Sequence, residues 1–285
     1  MKKIYPRDEN AQYPSALIIV TNRCTLNCRH CFVFRKTSPN TKAKELDTAI
    51  FLGKLLEKKR RHGIKHMLWM GGEPLLRPEI VSLGVGHFET NNITTNGTRD
   101  LIDLPNTMYV VSIDGPPEIN DAIRGKGSFE KIMKTLSRVP EGFGPRIMCQ
   151  AVVTRKNEDQ LEPLIEYLRP TAAEGLTFTF YVPTKNDQTG LAWPNLKNRD
   201  KAVRKIMGIK KRHPDFIRNH GRSLQLMLSE NSKKITDDCS MLTDTLPLYL
   251  DNNEFVTPFC CYGNNVDCDL CGAWGLFHEA AKKGM

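Results

Sequence analysis

The sequence predicts an α/β protein organised around a parallel sheet, and three observations carry that expectation. Short apolar runs rich in branched side chains recur through residue 182, helical patterns separate most of them, and most connections are long enough for the right-handed crossovers that join parallel strands. With 285 residues the chain can form one large domain, or one domain with an appendage.

The first expected strand is residues 16–21, Ala-Leu-Ile-Ile-Val-Thr, whose unbroken apolar run suits burial on both faces. A helix follows over 46–61, where Leu46, Ile50, Phe51, Leu55 and Leu56 approach a helical period and Gly63 ends it. Further strands are expected at 66–70, 93–95, 108–113, 147–154 and 176–182, with helices at 129–139 and 158–168, the second closed by Pro170. The 78–92 connection, interrupted by Gly84 and Gly86, has room for only a short helix. Beyond Pro183 the pattern changes to polar, basic helices around 199–212 and 223–229, then to a cysteine-dense tail. The expected division is therefore a core over 14–184 and an extension over 185–285, with no Gly/Ser linker between them.

The excess of 41 Lys and Arg over 32 Asp and Glu, a net +9, favours an anionic partner such as RNA, a membrane surface or a phosphorylated substrate. Its densest stretch, with Lys58, Lys59, Arg60 and Arg61, lies near the end of the first helix, where cations meet the carbonyl end of the dipole. A solvated helix end is the simpler reading. No apolar run approaches the roughly 20 residues of a membrane span, and charges at the start stand where a secretory signal needs apolar residues, so a cytoplasmic location is expected. Nine cysteines in a reducing compartment point to metal binding more than to disulfides. Cys149, on an apolar strand, is expected to be a plain buried hydrophobe.

The first strand runs directly into Thr21-Asn-Arg-Cys24-Thr-Leu-Asn-Cys28-Arg-His-Cys31-Phe. Three thiolates in so tight a loop can hold three irons of a [4Fe–4S] cluster and leave the fourth open to a small molecule, whereas structural zinc takes four protein ligands. This cysteine triplet resembles that of the radical S-adenosylmethionine (SAM) superfamily, and the resemblance continues in register over residues 16–182. It implies a parallel (β/α)6 partial TIM barrel and an enzyme that reductively cleaves SAM to methionine and a 5′-deoxyadenosyl radical. An electron donor such as ferredoxin or flavodoxin is implied as well. Carried over, Cys24, Cys28 and Cys31 are cluster ligands, and the backbone of His30 or Phe32 faces the adenine. Gly71-Gly72-Glu73-Pro74, after the second strand, corresponds to the motif that receives the methionine amino group, its glycines permitting close backbone approach. Thr95-Asn96 and Ser112-Ile113-Asp114 close the third and fourth strands at the carboxyl ends, where such folds bind ligands. Ser112 and Arg124 are candidate carboxylate contacts, and Asp114 either faces the ribose or caps the next helix.

Five of the nine cysteines, Cys239, Cys260, Cys261, Cys268 and Cys271, fall in the tail, a second metal signal. Adjacent thiols in an extended chain point to opposite faces, so one of Cys260 and Cys261 is the expected ligand. Related enzymes carry an auxiliary [4Fe–4S] cluster in such a tail; zinc is the alternative. The spacing departs from the longer seven-cysteine pattern of peptide-modifying maturases. The tail's cysteine pair resembles that of a hopanoid-biosynthesis enzyme that joins the adenosyl radical to a lipid, and this resemblance leans the substrate expectation to a lipid or isoprenoid, or a small biosynthetic intermediate, with peptide maturation or RNA modification as enzymatic alternatives. From another class, an iron–sulfur or zinc scaffold that binds nucleic acid would make the cofactor motifs accidental.

Overall fold

The computed structural model of the protein describes residues 8, 10–35 and 45–285. Six parallel strands lie side by side in chain order: β1 (Ser15–Ile19), β2 (His66–Met70), β3 (Thr90–Thr95), β4 (Thr107–Ser112), β5 (Arg146–Val153) and β6 (Leu176–Phe180). Helices α1 (Thr48–His62), α2 (Pro78–Gly84), α3 (Pro117–Arg124), α4 (Ser128–Ser137) and α5 (Leu164–Leu168) occupy the connections. This is the expected (β/α)6 arrangement. Two details differ. Helix α3 had not been singled out as an element, and α5 is shorter than 158–168 because Asn157 and Pro163 keep the preceding turns outside it.

Local chemistry explains α1. The Asp47 side chain accepts hydrogen bonds from the Ala49 and Ile50 amides, and Gly63 ends the helix at φ 66°, a left-handed conformation that glycine adopts without strain. Phe51 and Leu55, four residues apart, are completely buried. Lys59, Arg60 and Arg61 occupy the last turn, so the basic stretch is a helix end meeting its own dipole.

Beyond β6 come α6 (Leu196–Arg212), α7 (Gly221–Leu226), α8 (Ser229–Asp237) and α9 (Met241–Asp244), then a strand absent from the sequence reading. β7 (Thr245–Asp251) pairs parallel with β1, and β8 (Glu254–Val256) turns back antiparallel on β7. The sheet therefore has eight strands in the order β6-β5-β4-β3-β2-β1-β7-β8. Pro247 within β7 obscures it in sequence, since proline cannot donate to a ladder. After β8 the tail travels to the other side of the sheet. Lys185 N donates to Asn265 O (3.1 Å), Asp267 N to Pro183 O (2.9 Å) and Phe180 N to Gly272 O (2.9 Å). Gly272 is required at this seam, because a Cβ there would lie 2.3 Å from Phe180 Cβ. The final helix, α10 (Trp274–Lys282), then packs on α7 and β6. The tail thus ties the two sides of the open barrel together.

Strand residues alternate between two environments. Ile18, Trp69, Ile93, Val111, Ala151 and Phe178 join the large core beneath the helices. Leu17, Ile19 and Tyr249 belong instead to a smaller apolar cluster with Val33 and Cys261. Asn92, Thr94, Ser112 and Gln150 stay half-buried on that second, concave face. Among the described residues, no helix is long and apolar enough to cross a membrane.

Because β7 belongs to the same sheet as β1, cutting its packing should weaken the whole molecule. Leu248, fully buried, predicts a loss of about 2–5 kcal/mol for Leu248→Ala, read as a lower denaturant midpoint in one cooperative transition. An unchanged midpoint would contradict the pairing.

Candidate active site

The three cysteines of the first cluster motif lie on the loop that leaves β1 and crosses the carboxyl ends of the strands. Cys24, Cys28 and Cys31 are half-buried and none is in a disulfide. Cys24 Sγ accepts from the Leu26 amide (3.4 Å) and from Asn96 Nδ2 (3.5 Å). Cys28 Sγ lies 3.9 Å from Arg124 O, and Arg29 N donates to Ile123 O (2.9 Å), which docks the loop on the end of α3. Burial pushes the Cys28 thiol up to about 12; Arg124 opposes this, while Asp114 and the other two thiols reinforce it. Burial likewise raises Cys24. Burial thus favours the protonated thiol at Cys24 and Cys28, and ligation must displace those protons. Three neighbouring free thiols, that of Cys24 receiving two N–H donors, fit the donor set of a three-cysteine [4Fe–4S] cluster.

Two buried carboxylates brace this loop. Glu73, with no exposed surface, accepts at Oε1 from Thr95 Oγ1 (2.8 Å) and Leu75 N (3.1 Å), and at Oε2 from Asn96 N (2.7 Å). Burial raises its pKa, and these donors oppose the rise. Asn96 passes the restraint on: its Nδ2 donates to Thr25 Oγ1 (3.0 Å) as well as to Cys24. Gly72 N and Glu73 N donate to Thr21 O and Arg23 O, both at 2.8 Å. A Cβ on Gly72 would sit 2.0 Å from Arg23 O, so that position admits only glycine. Pro74 opens a short 3-10 turn, Pro74–Leu76, that Glu73 caps. Both Glu73 oxygens hold protein donors, and the side chain joins β2 to β3.

Asp114 is the second brace. Its Oδ2 lies 2.6 Å from His30 Nε2 and 2.7 Å from Arg124 Nε, while Oδ1 accepts from Val152 N (2.8 Å). An ionised carboxylate only accepts, so the proton of the His30 contact resides on Nε2. The Arg124 contact meets the distance of an ion pair but not the alignment of a hydrogen bond. Burial alone would raise the Asp114 pKa, but Arg124 and His30 more than compensate and hold it below the usual carboxylate range. Arg124 is correspondingly raised: Asp114, with Cys28, outweighs the cost of its burial. Asp114 therefore neither faces outward nor caps α3, whose start has no side-chain cap. It is an internal ion-pair hub.

Asn120 and Asn157 complete the hub and were not anticipated. Asn120 Oδ1 accepts from Asp114 N (3.0 Å), and Asn157 Nδ2 donates to Asp114 O (2.8 Å) and Val152 O (2.9 Å). Only their complete burial distinguishes them from ordinary loop asparagines. Ser112 ends β4 beside Gln150 on the concave face. Phe32 meets Tyr262 of the tail, ring centroids 4.9 Å apart.

The tail thiols separate into two groups. Cys260, Cys268 and Cys271 surround a small cluster with Val182, Val266 and Ala273. The Cys260 thiol lies within electrostatic range of its neighbour Cys261 first, then of Cys271 and Cys239, and Cys271 lies within range of Cys239 and Cys268. Cys261 is turned instead toward Cys31, Phe32 and Tyr249. Burial raises both Cys260 and Cys271, the latter to about 12. Cys260, Cys268 and Cys271 around one small cluster, with Cys239 in electrostatic range of two of them, supply the thiol donors that a metal–thiolate centre uses. Among the described residues, no three His, Cys, Asp or Glu side chains are gathered as tightly as a single metal ion requires. A cleft of about 760 Å³ between the 158–162 turns and α6 lies outside the barrel. Its Lys205 pairs with Asp159 and its Arg212 with Glu162, and it contains none of the braced residues.

The cysteine loop, its two braces and strands β2 to β5 all fall within one match to the Radical SAM superfamily, over residues 18–168. The chain belongs to the radical SAM superfamily. Enzymes of this superfamily use SAM with a [4Fe–4S] cluster. The chain is 30% identical over 154 residues to the mycofactocin maturase of Mycolicibacterium smegmatis, a match covering 50% of this chain and 38% of that protein. It is 28% identical over 221 residues to an uncharacterized protein of Methanocaldococcus jannaschii, covering 71% of this chain and 73% of that one. Streptococcus suis SuiB bound to the precursor peptide SuiA superposes with a TM-score of 0.65 at 13% identity, covering 94% of this chain and 65% of that one, a likeness of fold. The chain therefore spans well under half of the mycofactocin maturase.

Replacing Asp114 with Asn would leave Arg124 buried without its counter-charge. Asp114→Asn should lower stability by about 3–5 kcal/mol and reduce the iron taken up on anaerobic reconstitution. Wild-type stability and iron content in this variant would show that the hub does not position the loop.

Proposed function

We propose that this radical SAM enzyme modifies a peptide, with Cys24, Cys28 and Cys31 holding the cluster. The observation that carries the reading is the match of the barrel to a mycofactocin maturase. The half-buried Asn92, Thr94, Ser112 and Gln150 of the concave face support it, because they offer donors and acceptors to a polypeptide backbone at the barrel's open side.

When bound, the cluster and SAM supply an electron and a carbon-centred radical. This chain's residues provide the setting. The backbone around His30 and Phe32, the Gly71-Gly72 turn, Asn96 and Ser112 line the SAM side of the cysteine loop. Glu73, Thr95 and Asp114 hold that lining in place from beneath. Ferredoxin or flavodoxin is the reductant of matching chemistry. In the tail, Cys239, Cys260, Cys268 and Cys271 hold a second metal centre, an auxiliary [4Fe–4S] cluster or zinc, and Cys261 stands outside it as a packing residue.

Anaerobically reconstituted, reduced protein should convert SAM to 5′-deoxyadenosine and methionine, and Cys24→Ala, Cys28→Ala or Cys31→Ala should abolish the conversion. A short peptide encoded beside the gene should accelerate 5′-deoxyadenosine release and change in mass. Acceleration by a polyprenyl lipid or an RNA, with every such peptide inert, would overturn the peptide reading.

Counting metals tests the tail. About eight irons per chain fit two cubanes, and about four irons plus one zinc fit a structural tail. About four irons and no other metal would refute the second site.

A further inference from the structure

Three arginines are buried among the described residues, and they are not equivalent. Arg77 pairs with Glu79 at 2.8 Å and Arg124 with Asp114 at 2.7 Å. Arg199, only 2% exposed, has no carboxylate partner. Its guanidinium donates to neutral acceptors alone: Nη1 to Leu270 O (3.2 Å) and Cys271 O (2.8 Å), Nη2 to Met227 O (2.8 Å) and Ser232 Oγ (3.3 Å). It lies over the Phe180 ring, 5.6 Å from the centroid, and Nε has no partner. The neighbouring Asp200 is engaged elsewhere, accepting from Ser229 N (2.8 Å) and Ser229 Oγ (2.6 Å) at the start of α8.

A guanidinium cannot shed its proton, and a buried charge without a counter-charge is among the costliest features a protein can retain. Two groups able to carry negative charge act on it, the Cys271 thiol first and then the Asp200 carboxylate, which is already held by Ser229. Arg199 holds the backbone of the segment that carries Cys268 and Cys271, and the Cys271 thiol lies within its electrostatic range. Four thiolates around either zinc or a [4Fe–4S] core carry a net charge of about −2.

We infer that Arg199 is the internal counter-charge of an anionic metal–thiolate centre formed by Cys239, Cys260, Cys268 and Cys271. The inference rests on the second-metal reading of the tail and is independent of the peptide substrate. It gives the guanidinium two tasks. Its fork fixes the Cys268–Cys271 segment through the carbonyls of Leu270 and Cys271, and its charge offsets that of the filled centre. The first cluster has a different arrangement, since Arg124 there is already neutralised by Asp114. Arg199 is a positioning residue: it meets the ligand segment and no reacting atom.

The test uses the reconstituted full-length protein, with iron and zinc measured during challenge by a chelator. Arg199→Gln retains hydrogen-bond donors without charge, whereas Arg199→Lys retains charge without the planar fork. The Gln variant should lose tail metal at least about tenfold faster than wild type, while the Lys variant stays close to wild type. The spectroscopic response of the first cluster to SAM should remain unchanged in both. Arg199→Met, which keeps an aliphatic stem over Phe180, is a second neutral variant and should behave as Gln does. Equal acceleration in Lys and in the neutral variants would reduce Arg199 to a hydrogen-bonding brace and overturn the inference, as would no acceleration in either neutral variant. Wild-type protein with about four irons and no zinc would instead overturn the tail centre itself, leaving the first cluster and its chemistry intact.

Discussion

A carboxylate with no access to water, Asp114, is the constraint on which the site depends. Removing such a group from solvent costs several kcal/mol, and the cost is offset only if every lone pair finds a partner. Here the partners come from four places in the chain: His30 between two cluster cysteines, Arg124 at the end of α3, Val152 on β5, and Asn157 just beyond it through the Asp114 carbonyl. None can move without leaving a buried charge or donor unsatisfied. Glu73 repeats the device one side of the sheet away, joining β2, β3 and, through Asn96, Cys24. The cysteine loop has little secondary structure of its own, and these two carboxylates supply the rigidity that a multi-thiolate site needs.

The other end of the chain solves a complementary problem. An open half-barrel leaves one sheet edge unpaired and its concave face uncovered. β7 covers the β1 edge, and the tail then crosses to β6 and is stitched there through Gly272. This path brings the tail thiols beside β6 and places Tyr262 against Phe32 of the first cysteine loop. The two cysteine regions, more than 200 residues apart in sequence, share one side of the barrel. Their charge environments differ: a neutral Arg–Asp pair stands beside the first, and an uncompensated arginine beside the second.

Much of this was legible in the sequence, for identifiable reasons. β2 falls on the expected residues because His66–Met70 is apolar and bounded by Gly63 and Gly71-Gly72. The cysteine triplet, the Gly-Gly-Glu-Pro turn and the strand-end residues were recognisable because each occupies a fixed place relative to a strand. What was hidden depended on partners distant in the chain. Pro247 disguised β7, and only its pairing with β1 makes it a strand. The complete burial of Glu73 and Asp114 was hidden as well, because sequence alone gives no burial. Arg199 sat unremarked in a basic helix, where its solvent-facing neighbours look identical. The separation of Cys260 from Cys261 also required three dimensions, although the alternation of extended backbone had predicted that they would diverge.

The central claim is that the loop of Cys24, Cys28 and Cys31, braced by Glu73 and Asp114, presents a cluster whose open iron receives SAM. The most direct measurement is electron paramagnetic resonance of the reduced protein, before and after SAM is added, in a variant with Cys239, Cys260, Cys268 and Cys271 replaced by Ser so that only the first site can report. The account predicts a reduced [4Fe–4S] signal that changes on addition of SAM. A signal indifferent to SAM, with four irons still bound, would contradict it.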